Sequence, residues 1–557
     1  MLKLPERQAN PSVAKMVSAE PLKAGRPETI ASMETTHFDV VVIGGGITGA
    51  YTAMDAALRG LRVALLEKGD FASGTSSKSS KMIHGGLRYI EQGNLPLVRH
   101  SLLERQRLRR NAPHLVQRLP FMFPVLSQGG AIDPRLAKGF EALLWTYDLA
   151  GGWREGILHK SLSKNEVIAR CPTLKPEMIK KGLLYYDARA DDARLTLAIA
   201  RTAAFHGAKI LNYAQVTDVI REQGKVSGVK ATVDGRELTV SASSVVVATG
   251  AWLRDWTGAG EGVETPNIRP AKGVHVALPW SKIRNDCTVT IPVPGRTRRA
   301  TLTRWGDISL LGTTDEDYTG SLDDVHCTRE ELDFLLEGAR VALNVDITAD
   351  DVLGSIAGCR PLIAPPGGKT MEVKRNHEIR VDDDGLITVV GGKLTTSRHM
   401  AEQTVDATMK VLDRKGKCRT KKAYVLGGAG YDASSSEATG GLAAHLSGRY
   451  GMEAMHVSAI LAENPELARP IVAGHPYIEA EIVYAARHEM ARTVDDILSR
   501  RTRLRLYARD ASSEAAPRVA QLLQEELGLS AEETAEQVQQ YQDSASQEKS
   551  ILMGAGK

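Results

Sequence analysis

Three glycines spaced Gly44-x-Gly46-x-x-Gly49 follow the apolar run 40–43, and an acid, Glu67, closes the apolar run 63–66. These residue types at this spacing can hold a dinucleotide. Gly44 permits a tight turn, Gly46 lets the backbone approach a pyrophosphate, and Gly49 lets a helix pack closely on the strand. The helix that begins here offers unpaired N–H groups and the positive end of its dipole to phosphates. Glu67 sits where a carboxylate can accept both hydroxyls of an adenosine ribose. An acid there disfavours a 2′-phosphate, which selects NAD or FAD over NADP.

Two later segments repeat the pattern of strand and turn. Residues 245–248 run into Thr249-Gly250, and residues 386–390 run into Gly391-Gly392-Lys393, ahead of Leu394-Thr395-Thr396. Such turns can aim backbone N–H groups at an anionic part of a ligand. Three separated segments that return to one ligand suit FAD better than NAD, because FAD lies extended through a larger fold. The serine-rich stretch 73–80 adds hydroxyl and backbone donors for the flavin side.

The elements that must position these groups predict an α/β fold. A Rossmann-like FAD-binding domain (about 38–110, 185–265 and 351–424) interleaves with a mixed-sheet substrate domain (about 111–184 and 266–350). Residues 193–206 read as an amphipathic helix with Asp192 as its cap, which makes the Asp191-Asp192 pair a helix start rather than a catalytic dyad. Strands are expected over 209–220, 226–233 and 237–240, with another over 372–380. The run Asp382-Asp383-Asp384-Gly385 reads as a hairpin turn, since it lacks the spaced ligands of a calcium loop. Residues 425–545 are expected to form a helical domain, with tails at 1–37 and 546–557.

Composition excludes several classes. The chain has 557 residues, 42% hydrophobic and 25% charged, as soluble globular proteins do. A net charge of +4 is too small to argue for nucleic acid, and none is expected as a partner. The five cysteines are scattered without a CxxC pair, so no metal site and no disulfide framework is expected, in keeping with a reducing compartment. No apolar stretch is long enough for a transmembrane helix, and the N-terminal residues lack the apolar core of a secretory signal.

The run Lys81-Met82-Ile83-His84-Gly85-Gly86-Leu87-Arg88-Tyr89-Ile90-Glu91 resembles the signature of FAD-dependent glycerol-3-phosphate dehydrogenases. Further segments are similar in the same order: Ala190 to Leu195, Lys272 to His275, Gly312 to Asp315, Gly358 to Leu362, Gly391 to Thr396, and the stretch from Glu479 to Thr502. The resemblance spans roughly residues 38–510. It implies oxidation of sn-glycerol 3-phosphate to dihydroxyacetone phosphate, with FAD as cofactor and a membrane quinone as acceptor. It also implies a peripheral location on the inner face of the cell membrane, and it is compatible with a homodimer.

By motif, the resemblance assigns Arg88, Tyr89 and Arg375 to the substrate phosphate. It sets Arg360 and Lys393 beside the reacting hydroxyl, and His275 and His84 at the proton or the flavin. A neighbouring cation would depress a histidine pKa and favour the neutral, proton-accepting form. Around FAD it implies Lys68, Thr75, Ser76, Ser79, Met82, His84, Val216, Leu394 and Thr395, beside the glycines, Glu67 and Thr249. The same flavin chemistry would serve an oxidase that makes hydrogen peroxide, and a flavin-binding regulatory protein without turnover is the third reading. Residues 99–110 are densely basic and precede the apolar runs 119–126 and 140–147, a combination that suits an anionic membrane surface.

Overall fold

The structure is a computed structural model that describes residues 16, 25–91, 93–126, 137–256, 266–293, 299–363, 377–433 and 440–554. A six-stranded sheet forms its nucleotide-binding half. Its strands lie in the order His377–Val381, Leu386–Gly391, Val245–Val247, Val40–Ile43, Val63–Leu66 and Lys209–Leu211, parallel except for the first pair. The central strands Val245–Val247, Val40–Ile43 and Val63–Leu66 are apolar and buried at every position because both faces are covered. Val40, Val42, Val63 and Leu65 face a layer of helices, in which Ile47–Leu58 packs against Asp192–Phe205 and Ser397–Val411. Val41, Ile43, Ala64 and Leu66 face a three-stranded antiparallel sheet made of Ala214–Glu222, Lys225–Val233 and Arg236–Ser241. The expected strand over 209–220 is split in two at Asn212 and Tyr213, where Tyr213 takes φ +50°.

Sheet register explains why distant turns meet. Ile43 lies beside Val247, and Val247 lies beside Thr388. The turns after Ile43, Val247 and Gly391 therefore open from one carboxyl edge of one parallel sheet, where ligands of such sheets bind. His377–Val381 and Leu386–Gly391 form a hairpin whose turn is Asp382–Gly385, closed by the Gly385 N–H donating to the Asp382 carbonyl at 2.9 Å.

A ten-stranded mixed sheet forms the other half. It takes in the short strand Met82–Ile83 and the strand Gly354–Ile363, both from stretches expected on the nucleotide side. The strand Ile268–Pro279 pairs with Gly354–Ile363 on one side and Ile308–Gly312 on the other. Beyond this sheet lie the C-terminal helices, including Glu479–His488, Arg509–Leu527 and Ala531–Met553, whose core incorporates Ala277, Ile308 and Leu310 of the sheet.

The apolar run 119–126 belongs to the strand Val116–Leu126. Leu119, Phe121, Phe123 and Val125 are buried against Val98, Leu102, Phe140, Leu144 and Tyr147. This corrects the expectation that the run faces a membrane. Burying such a side chain is worth about 1.5–3 kcal/mol, and this sheet face supplies the partners. The basic run 99–110 is also partly internal: Arg105 is buried, donates to the Tyr186 carbonyl at 3.1 Å and pairs with Asp187.

Candidate active site

The glycine turn is tight because its neighbours leave no room. Gly44 stands at φ +109°, and a Cβ on it would lie 2.6 Å from the Ala248 carbonyl oxygen. A Cβ on Gly49 would lie 1.9 Å from the Gly44 carbonyl oxygen, so only glycine lets the helix Ile47–Leu58 approach the turn. Gly46 precedes that helix, and the Ile47 N–H donates to Ser76 Oγ at 2.9 Å. Glu67 follows the strand Val63–Leu66, its carboxylate accepting the Gly45 N–H at 2.5 Å and the Gly69 N–H at 2.9 Å. Val216 is buried in the layer behind this turn. Lys68 is exposed; its ammonium pairs with Asp323 at 2.5 Å and lies 4.9 Å from the Trp252 ring centroid.

The serine-rich loop lies beside the turn and is tied to both sheets. Thr75 Oγ1 donates to the Cys359 carbonyl at 2.5 Å, which links the loop to the strand that carries Arg360. Ser79 donates to Asp192 Oδ2 from its N–H at 2.9 Å and from its hydroxyl at 2.6 Å. Met82 pairs with Arg189 in the larger sheet. His84 follows, and its N–H donates to Thr395 Oγ1 at 3.1 Å, which joins the loop to the turn Gly391-Gly392-Lys393. Leu394 and Thr395 lie in a short 3-10 turn that leads into the helix Ser397–Val411. Gly392 lies so close to that helix that an added Cβ would stand 2.2 Å from Met400 Sδ.

Over this edge the larger sheet brings its polar groups. His275 is buried, pairs across the strands with Gly312 and Ile356, and has no hydrogen-bond partner at either ring nitrogen. Burial, and next the Arg360 guanidinium, hold its pKa down to about 3, so it is neutral at physiological pH. Arg360 crosses Gly273, where an added Cβ would stand 2.4 Å from Nη2. It donates from Nη1 to Asp315 Oδ1 at 3.1 Å and from Nη2 to Thr313 Oγ1 at 3.0 Å. Lys393 Nζ sits 3.8 Å from the centroid of the buried Tyr89 ring, a cation–π contact. The backbone of Arg88 lies in the short helix Arg88–Glu91. Arg375 falls outside the described residues.

The residues present fit FAD. At Gly46 the backbone stays open, with only Ser76 Oγ within 4 Å of an added Cβ, at 3.1 Å; the Glu67 carboxylate lies on the Gly45 N–H of the same turn, and Thr249 Oγ1 is buried without a hydrogen-bond partner next to Gly250. Among the described residues, no group of histidine, cysteine and acidic side chains could hold a metal ion.

Several site residues escaped sequence reasoning. The cap of the helix Asp192–Phe205 is Asp191, which accepts the Arg194 N–H at 3.2 Å, whereas Asp192 is buried and pairs with Lys81 at 2.8 Å. Thr313 and Asp315, which hold Arg360, lie in a matched segment but carry no sign of that task in their spacing. Asp187 accepts the Gly85 N–H at 3.2 Å and the Tyr147 hydroxyl at 2.6 Å, and so supports the loop that bears His84. Nothing local marks a lone aspartate in a strand for this work.

A parallel sheet with a dinucleotide turn, facing a second sheet that brings cationic and imidazole groups over it, defines an FAD-dependent oxidoreductase. The FAD dependent oxidoreductase family profile matches residues 39–407, and that of the C-terminal domain of alpha-glycerophosphate oxidase matches residues 418–534. The chain is 37% identical over 522 residues to the glycerol-3-phosphate dehydrogenase of Mycobacterium leprae, covering 91% of this chain and 88% of that one. It is 36% identical over 537 residues to the mitochondrial glycerol-3-phosphate dehydrogenase of Arabidopsis thaliana, covering 89% and 84%. The crystal structure of the Bacillus halodurans glycerol-3-phosphate dehydrogenase complexed with FAD superposes with a TM-score of 0.76 at 28% identity, covering 94% of this chain and 97% of that one. The chain belongs to the FAD-dependent glycerol-3-phosphate dehydrogenase family.

Proposed function

We propose that this protein oxidises sn-glycerol 3-phosphate at C2 to dihydroxyacetone phosphate and passes the electrons to a membrane quinone. The observation that carries the reading is His275: a neutral, buried imidazole with both nitrogens unpartnered, on the strand that Arg360 crosses. FAD, when bound, supplies the hydride acceptor at N5. The chain supplies orientation and charge. Arg88, Tyr89 and Arg375 hold the phosphate dianion, for which guanidinium forks and hydroxyl donors are suited. Arg360 and Lys393 stand beside the C2 oxygen and stabilise negative charge as its proton leaves. His275 takes that proton; His84 borders the flavin. Thr75, Ser76 and Ser79 face the flavin side, and Glu67 and the glycine turn hold the adenosine and pyrophosphate.

Anaerobic addition of glycerol 3-phosphate to the purified holoenzyme tests the reading. The visible flavin band should bleach; an unchanged spectrum would favour a regulatory flavoprotein. Peroxide yield with and without a quinone analogue separates dehydrogenase from oxidase: little peroxide and rapid quinone reduction are expected.

The membrane part of the proposal rests on only part of the surface the sequence suggested: the run 119–126 is internal, whereas Trp145 of the run 140–147 is exposed together with residues that follow it. Trp145, Leu149 and Trp153 are 51%, 78% and 55% exposed, and Ile157 and Leu158 beside them are also exposed. Aromatic and aliphatic side chains grouped outward within fourteen residues, with Lys138, Arg154 and Lys160 nearby in sequence, suit shallow insertion into an anionic bilayer. No helix among the described residues is long and apolar enough to cross a membrane.

A further inference from the structure

Arg500, Arg501 and Arg503 reach from the C-terminal helices into the loop between Leu66 and Met82. They lie on and just beyond a π-helical stretch, Asp496–Arg501, a local distortion frequent at functional sites. Arg500 Nε donates to Asp70 Oδ2 at 2.6 Å, and Arg501 donates to both oxygens of the same carboxylate at 2.6 and 2.9 Å. Arg503 goes further in. Its Nη1 donates to the Ser77 carbonyl at 3.0 Å, its Nε and Nη2 to Asp191 Oδ1 at 3.1 and 2.8 Å, and its Nη2 also meets Asp192. Asp192 accepts Lys81 Nζ on one oxygen at 2.8 Å and both Ser79 donors on the other. Arg503, Asp192 and Lys81 are all buried.

We propose that Arg503 is a positioning residue for the flavin loop, through which the C-terminal helices hold Ser77–Lys81 in the shape that grips the cofactor. The proposal rests on the reading that Ser79 faces the flavin side of FAD. Two adjacent buried carboxylates, Asp191 and Asp192, need countercharge in a low-dielectric site. Burial alone would raise the pKa of each, yet Arg503 and Lys81 hold both below the usual carboxylate range. Without Arg503, Lys81 would be the nearest remaining countercharge to the pair. Asp192 would then turn or take up a proton and release the Ser79 donors. A plain clamp between the two parts of the chain needs no such reach. Arg201 provides one: it forks Glu453 at 2.7 and 2.8 Å, and its other hydrogen bonds among the described residues go to His488 and Tyr484 rather than to the loop.

The test compares full-length holoenzymes of Arg503→Lys, Asp192→Asn, Arg201→Lys and Ser79→Ala. Lysine keeps the charge of Arg503 but cannot fork across three acceptors. Arg503→Lys and Asp192→Asn are each expected to raise the FAD dissociation constant about tenfold, as loss of a charged hydrogen bond would. Both should also shift the visible flavin band and lower kcat, with KM for glycerol 3-phosphate little changed. Arg201→Lys should lower Tm and leave FAD affinity and the band alone. Parent-like FAD affinity and flavin band in Arg503→Lys and Asp192→Asn, with Ser79→Ala weakened, would overturn the positioning role while leaving the loop reading intact. An equal loss of FAD affinity in Arg201→Lys would reduce Arg503 to a general clamp and overturn it too. A Ser79→Ala enzyme with parent affinity and spectrum would remove the loop from the cofactor, and the proposal with it.

Discussion

His275 shows how a residue acquires its chemistry from its surroundings. An ordinary histidine titrates near 6.5, but burial and Arg360 hold this one near 3. Its folded pKa lies below its unfolded one, so the unfolded chain binds more protons between those values. Stability should therefore fall as pH drops below about 6.5. His275→Asn should lessen that slope, to which His114, held near 3 by burial, also contributes; Tm at pH 7 and at pH 5 would report the change. The same substitution should lower kcat by about 10²–10⁴-fold if His275 takes the proton. A kcat/KM profile with an acid limb near 6.5 in the parent would point to another base. Arg360→Lys would forfeit its forked contacts to Asp315 and Thr313, and kcat/KM should fall even though the charge remains.

Single contacts inside elements carry equal weight. The helix Ile47–Leu58 meets its turn through Gly49, and Gly49→Ala would drive a methyl group into the Gly44 carbonyl. The expected result is folded protein that retains little FAD, read from the ratio of flavin to protein absorbance. The helix Ala137–Ala150 has two tasks. Its exposed face carries Trp145 and Leu149, while Tyr147 on its inner face donates to Asp187. Trp145→Ser with Leu149→Ser should weaken co-sedimentation with anionic vesicles and leave flavin reduction intact. Tyr147→Phe should lower stability by about 1–3 kcal/mol, because Asp187 loses a buried donor. The contrast between this helix and the strand Val116–Leu126 explains why only one of the two expected apolar runs reaches the surface. Both are rich in apolar residues, but the strand has a sheet face and helices to bury them.

At the scale of the whole molecule, buried ion pairs join the C-terminal helices to the rest. Burial alone would raise the carboxylates Asp191 and Asp192, yet Arg503 from the C-terminal side and Lys81 hold both below the usual range; within the C-terminal helices, His445 and Arg449 hold Glu481 down to about 2. Groups with depressed folded pKa values contribute stability above their unfolded values, near 4 to 4.5, and lose it as pH falls toward 2. Acid titration should therefore release FAD and lower Tm together across that window. A loss of Tm already complete at pH 5 would implicate other groups.

The sequence alone determined the nucleotide turn, the helix after it and the acid that follows the second strand, because each rests on local sterics within about thirty residues. It also carried the strands around 245 and 386 with their turns, since strands covered on both faces read as near-continuous apolar runs. Only the tertiary structure decided that those turns share one sheet edge, through the register of Ile43, Val247 and Thr388. Only it decided that Asp192 is an ion-pair centre rather than a cap, and that Arg503 reaches back across more than 300 residues to meet it. Charge pairing and burial are long-range properties: they depend on which surfaces fold against each other, and the spacing of residues along a chain does not encode that directly.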